Sequence, residues 1–187
     1  MVDQAPVPAV ELFNSSGLVL ESAPLQTWLR ISSRAPAAQA ARAIAHSLGV
    51  APGARVGSVS TISDVAAILT DGPRQWLLRD SINTRPPREI ALCALTDISD
   101  SMLGVRVNGE LALDLVATGC PLDLAGTVNA YTDCARSLFH HIPLLLHRLE
   151  ARTLDLFVPR SYLPAFQHTL LEAARDLAAL HNIRPYR

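Results

Sequence analysis

Lysine is absent from this 187-residue sequence, and its sixteen strongly basic side chains are all arginines. With seventeen acidic residues the net charge is -1, so the chain has no sustained positive field for nucleic acid or an anionic lipid surface. An arginine bias of this kind fits a GC-rich coding sequence and assigns no function. Cysteine is sparse too. Cys93, Cys120 and Cys134 are odd in number and widely spaced, which fits neither a disulfide framework nor a CxxC zinc or redox site and points to buried free thiols. No uninterrupted apolar stretch approaches the ~20 residues of a membrane-crossing helix. The opening Met1-Val-Asp-Gln-Ala-Pro6 lacks the basic start and apolar core of a signal peptide. The expectation is a soluble cytoplasmic protein that engages neither membrane nor nucleic acid.

What is present is an apolar fraction of 49%, enough to bury one ordinary domain or two small halves sharing a core. Residues 1–24 mix proline, serine and glycine with few periodic apolar positions, and read as an N-terminal arm, flexible or partner-bound, with an extended piece at Val10 to Leu20. Leu25 to Ser33 alternates apolar and polar positions like a half-buried strand. Pro36 then sits where a first helical turn tolerates it, Ala40, Ala41, Ile44, Ala45 and Leu48 follow at helical spacing, and Gly49 supplies a stop. Val65 to Asp80 joins two β-rich runs through Asp71-Gly72-Pro73, a turn cluster that predicts a hairpin. A polar connector, Ser81 to Glu89, divides the chain.

The second half repeats this order. Cys93 to Val107 is extended and interrupted by Asp97-Ile-Ser-Asp-Ser101. Asn108 is placed to cap a helix carrying Leu111, Ala112, Leu115 and Val116, which Gly119 ends. Ser137 to Leu149 is β-like, and Leu154, Leu156 and Val158 point to one face of a further strand. A last helix from about Ser161, its N-cap, to Leu180 carries Leu163, Phe166, Leu170, Ala174 and Leu177 along one stripe. The expected class is α+β: two ferredoxin-like halves, residues 25–89 and 90–187, in one compact body.

Chemistry-bearing clusters are few. Read as strand residues, His140 and His141 face opposite sides and cannot share a metal, while His141 and His147 lie roughly 20 Å apart at strand rise. His168 reads as a surface residue. Asp97 and Asp100 flank a short polar turn, where bonding to local backbone competes with acid and base work. Ser101 and Ser161 stand in no GxSxG elbow, and the chain has no GxGxxG fingerprint, no GxxxxGK[ST] loop and no clustered cysteine motif. This reading assigns no catalytic, cofactor-binding or metal-ligating residue, and redox chemistry needs a recognisable cofactor cradle.

Three blocks together resemble the gamma subunit family of heterotetrameric sarcosine oxidase and the related N-methylglutamate dehydrogenase subunits. They are Leu95-Thr-Asp-Ile-Ser-Asp-Ser101 running into Arg106-Val-Asn-Gly-Glu110, then Leu113-Asp-Leu-Val-Ala-Thr-Gly-Cys-Pro-Leu-Asp-Leu124, and Cys134-Ala-Arg136 continuing to Val158-Pro-Arg-Ser-Tyr162. The hairpin Thr70-Asp-Gly-Pro-Arg-Gln-Trp-Leu-Leu78 also resembles a G-P-x-x-W-L-L element of that family and of the folate-binding aminomethyltransferase fold. The resemblance extends from about Leu25 to Leu180. It implies that fold and a non-catalytic subunit of an enzyme that oxidatively demethylates sarcosine to glycine. FAD, FMN, NAD and tetrahydrofolate would be bound in larger alpha and beta subunits, with zinc in a small delta subunit.

On that reading the chain offers contact surface. Its apolar composition, Trp28, Trp76 and planar guanidinium groups suit an interface. Arg106, Arg136, Arg160 and Tyr162 are the candidate contacts, and the competing reading pairs them within the chain to Asp97, Asp100 or Asp123. Two other functions compete. One is a stand-alone folate-binding or aminomethyltransferase-like module, although the chain lacks the KGCYxGQE signature of the folate-dependent iron-sulfur maintenance family. The other is the equivalent subunit of an N-methylglutamate or dimethylglycine dehydrogenase, whose substrate pocket would lie in another chain.

Overall fold

The computed structural model describes residues 9–81, 86–124 and 133–183. It opens with a hairpin, β1 (Glu11–Ser15) and β2 (Leu18–Ser22). Then come β3 (Gln26–Ser33), helix α1 (Ala37–Leu48), β4 (Val59–Thr61), β5 (Ala67–Gly72), β6 (Gln75–Ser81) and β7 (Cys93–Asp97). A 3-10 turn at Ser99–Ser101 leads into β8 (Met102–Asn108), helix α2 (Ala112–Ala117), β9 (Cys134–Phe139), β10 (Ile142–Glu150) and β11 (Thr153–Pro159). A second 3-10 turn, Arg160–Tyr162, precedes helix α3 (Leu163–Ile183). The strands form a five-stranded sheet, β4-β5-β6-β3-β7, and a six-stranded sheet, β1-β2-β8-β11-β10-β9. The class is α+β, as expected. Among the described residues no helix is long and apolar enough to cross a membrane.

An internal repeat is written in the strand orders. β3-α1-β4-β5-β6 and β8-α2-β9-β10-β11 each run strand, helix and three further strands, and in each sheet the fourth strand lies between the first and the third. A ferredoxin-like half would interleave two helices in the order β-α-β-β-α-β. The expected ferredoxin-like halves are therefore corrected to a one-helix repeat. Short connections let consecutive strands pair with their neighbours, and β5 and β6 are joined by only Pro73 and Arg74. Periodicity announces the strands but not their partners. In that turn the left-handed backbone falls on Arg74, φ 59, and not on Gly72, because proline fixes the first central residue and leaves the positive φ to the second.

The chain divides into two compact units, the first holding residues 25–102 and 133–135, the second 9–24, 103–124 and 136–183. The expected boundary at 89/90 moves to 102/103. The reason is pairing: β7 joins β3 in register, from Leu29 opposite Asp97 to Ser33 opposite Cys93, so the strands on both sides of the polar connector belong to the first unit. Of that connector, residues 82–85 lie outside the described residues, as does the start of the expected arm. The rest of the arm is sheet. Val19 to Ser22 pair with Asn108 to Val105 of β8, and Leu18 and Leu20 are buried.

In the first unit α1 covers one face of its sheet. Its run of alanines has high helix propensity, Pro36 precedes it, and Gly49 closes it at φ 76 with its N–H on the Ala45 carbonyl. Ala40 and Ile44 pack with Leu29, Ile31, Ile68, Trp76 and Leu78. In the second unit Phe166, Leu170, Ala174 and Ala178 of α3 are buried at helical spacing, and Phe166 meets Phe139 of β9 edge to face at 5.6 Å. Two expected caps are corrected. Asn108 ends β8 and accepts a hydrogen bond from Thr153, whereas Leu111 occupies the N-cap of α2 and its N–H is taken by the Gly17 carbonyl. Ser161 lies in the 3-10 turn before α3 rather than capping it.

Candidate functional site

The structure gives the resemblance blocks individual roles within the chain. In Thr96-Asp-Ile-Ser99 the Asp97 carboxylate accepts from the Ser99 N–H at 2.9 Å and from its hydroxyl at 2.6 Å, and the Ser99 oxygen accepts from the Trp28 N–H at 3.0 Å. These bonds fasten the end of β7 to β3. They also hold Asp97 below the usual carboxylate range, the Ser99 side-chain bond being the larger cause. The local backbone bonding anticipated for this turn is thus what Asp97 does. Ser101 donates to the Ile98 carbonyl at 2.7 Å.

Arg106 occupies the middle of β8 between buried Val105 and Val107. Its Nε and Nη2 meet the two carboxylate oxygens of Asp155 at 2.7 and 3.0 Å. Asp155, on β11, has a fully buried side chain. Across the registers Glu21 of β2 stands opposite Arg106, and His147 of β10 stands opposite Asp155. The four residues make a polar row over β2, β8, β11 and β10. The Asp155 hydrogen bonds raise the Arg106 pKa against the opposing effect of burial, helped by the Glu21 and Glu150 charges. A carboxylate gripped at both oxygens by a guanidinium is an ion-pair partner and is not positioned as a general base.

Arg148 is buried as well. It donates to the backbone carbonyls of Leu124, Glu150 and Ala151 at 3.2, 3.3 and 2.9 Å, and so ties the Gly119-Cys-Pro-Leu-Asp-Leu124 block to the β10–β11 turn. A side chain at Gly119 would press on the Phe139 ring at 2.8 Å, and the Gly119 carbonyl receives the His140 N–H at 2.6 Å.

The sequence candidates separate accordingly. Arg106 is engaged within the chain, by Asp155 rather than by Asp97, Asp100 or Asp123. Arg136 on β9 and Arg160 in the second 3-10 turn have exposed side chains, and Tyr162 is 43% exposed. Arg106 and Arg136 stand three strands apart in one sheet, about 14 Å at normal strand spacing. Trp28 and Trp76, expected to suit an interface, are buried at 1% and 3% exposure.

Two of the histidines also differ from expectation. His140 and His141 form the turn between β9 and β10, with His140 at φ 52, so alternation along a strand does not govern them. His147 is buried. His168 is exposed and meets Glu172 one turn on at 3.4 Å. Among the described residues no group of three or more His, Cys, Asp or Glu is placed to hold a metal ion. Cys120 and Cys134 are buried free thiols and Cys93 is half-buried, its pKa raised by that burial against a lowering bond with Ser33. Sequence reasoning missed Asp155 and Arg148, and weighed His147 only as a metal ligand. The available signal was a charge set inside an otherwise apolar strand, as in Leu154-Asp-Leu-Phe-Val158.

No protein-family model matches this sequence, and no curated protein matches it. Among solved structures the chain is similar to a chain of the heterotetrameric sarcosine oxidase from Corynebacterium sp. U-96, determined in complex with pyrrole 2-carboxylate. The TM-score is 0.74 at 20% identity, over 90% of this chain and 89% of that one. At the level of fold, the molecule is built like a chain of heterotetrameric sarcosine oxidase.

Proposed function

We propose that this chain is the gamma-type subunit of a heterotetrameric sarcosine oxidase or of a sister amine-oxidising complex. It would support flavin-dependent oxidative demethylation without itself carrying the reacting groups. The observation that carries this reading is the nearly equal coverage, 90% and 89%. A match of that kind pairs two whole chains of similar length, and so points to a small subunit of the neighbour rather than to part of a long one. The residue blocks add weight independently. Asp97, Arg106, Gly119 and Leu124, all within them, are occupied in holding strands and turns together. The folate-binding aminomethyltransferase-like architecture, and FAD, FMN, NAD, tetrahydrofolate and zinc sites in alpha, beta and delta partners, belong to the same proposal through the resemblance.

Copurification from the source cell through a tag on this chain tests it, followed by a panel of N-methyl amines. The expected result is recovery of larger, flavin-coloured polypeptides with sarcosine-dependent oxidation. Recovery of this polypeptide alone would overturn the subunit reading, and stoichiometric micromolar binding of tetrahydrofolate to the isolated chain would favour the stand-alone folate module.

A further inference from the structure

Two adjoining hollows in the second unit form one groove between α2 and α3. One, about 320 Å³, is lined by Leu111, Asp114, Leu177, Leu180 and His181. The other, about 350 Å³, shares Leu177 and Leu180 and extends past Glu172 and Asp176. On α3 the lining positions 169, 172, 173, 176, 177, 180 and 181 recur at three- and four-residue spacing, a stripe along one side of the helix.

The groove's lining joins apolar and acidic side chains, with His140 and His181 beside them. Leu180 is 62% exposed, a large apolar side chain left in water beside half-buried Leu177. Asp114, Glu172 and Asp176 supply three carboxylates, and among the described residues no arginine lines either hollow. Glu172 is shared with His168, but among the described residues the carboxylates of Asp114 and Asp176 take no hydrogen bond or ion pair. Apolar surface flanked by negative charge complements an amphipathic helix with cations beside its apolar stripe. It repels an anionic membrane.

We infer that the α2–α3 groove seats a basic amphipathic helix of a partner polypeptide. Its apolar side chains would lie on Leu177 and Leu180, and its lysine or arginine cations against Asp114 and Asp176. The source of that helix, a larger subunit of the complex, rests on the subunit reading above. The groove's chemistry does not.

The test has two arms. In the first, a fluorescent helical peptide of leucine and lysine, about eighteen residues long so that it can hold a helix, is titrated against the full chain beside a counterpart with glutamate for lysine. The leucine-lysine peptide should bind, and its Kd should weaken at least about tenfold in Asp114→Arg/Asp176→Arg. The glutamate peptide should not bind. Leu180→Glu, one exposed position, gives the same readout should the double variant fail to fold. Absence of binding, equal affinity for both peptides, or equal affinity of parent and variant would each overturn the inference.

In the second arm the double variant replaces the parent in copurification, and recovery of the larger subunits should fall to about a tenth or less. Undiminished recovery with the variant sinks the groove and leaves the subunit reading standing. Recovery of no partner by the parent sinks the subunit reading, and the peptide arm still judges the groove.

Discussion

Removing Arg106 alone would take from the buried Asp155 carboxylate the guanidinium that grips both of its oxygens. Breaking a buried ion pair on one side typically costs about 3–5 kcal/mol, whereas replacing both partners by apolar residues of similar volume is often neutral. Arg106→Met should therefore lower the urea midpoint strongly, and Arg106→Met/Asp155→Leu should regain most of the loss. A double-mutant cycle measures the coupling, and additive losses would mean that the pair does not act as a unit. Asp97 makes a prediction of the other kind. Its folded pKa lies below its unfolded value because Ser99 donates to the ionised form. Its contribution is thus complete above the unfolded value of about 3.9 and disappears as pH falls through the lower folded value. The stability gap between the parent and Asp97→Asn, from urea titrations at stepped pH, should be widest near neutrality and close in acid.

The turn between β8 and α2 depends on one glycine. Gly109 sits at φ 123, and a Cβ there would lie 2.3 Å from the Gly17 carbonyl oxygen. The left-handed backbone alone costs an L-residue about 1–2 kcal/mol, so Gly109→Ala should destabilise by at least about 2 kcal/mol in chemical denaturation. A change within error would show that the hairpin and the turn yield easily. Ile44, on the sheet-facing side of α1, is fully buried, and Ile44→Ala should cost about 2–5 kcal/mol. Helix α1 was legible because its signals are local: Pro36 before it, Gly49 after it, apolar positions four apart between. The β1–β2 hairpin was not. Its short strands are bounded by Pro8 and Pro24 and broken at Ser16-Gly17, and the ladder that turns them into sheet comes from β8, more than eighty residues away.

For the whole molecule, the proposed function predicts that the purified chain is colourless, shows no flavin absorbance and does not turn over sarcosine. Flavin colour held stoichiometrically by this chain alone would contradict it. The interface candidates were legible only as residue types that favour contacts. Exposure sorts them: Arg136, Arg160 and Tyr162 reach solvent, while Arg106 is drawn to Asp155 and both tryptophans are inside. The α2–α3 groove was not legible at all, because it is made by two helices whose facing residues, Leu111 and Leu180 among them, are far apart in sequence.

By itself the sequence determined the α+β class, helix α1, the β5–β6 hairpin, the buried Phe166, Leu170 and Ala174 of α3 and the doubled order of elements. Each of these follows from the preferences of near neighbours for turns, caps and apolar spacing. Only the tertiary structure decided which strands pair, that the opening residues are sheet, and that Asp155 is the partner of Arg106. Those outcomes depend on hydrogen-bond registers and charge neutralisation between segments that the chain brings together only on folding.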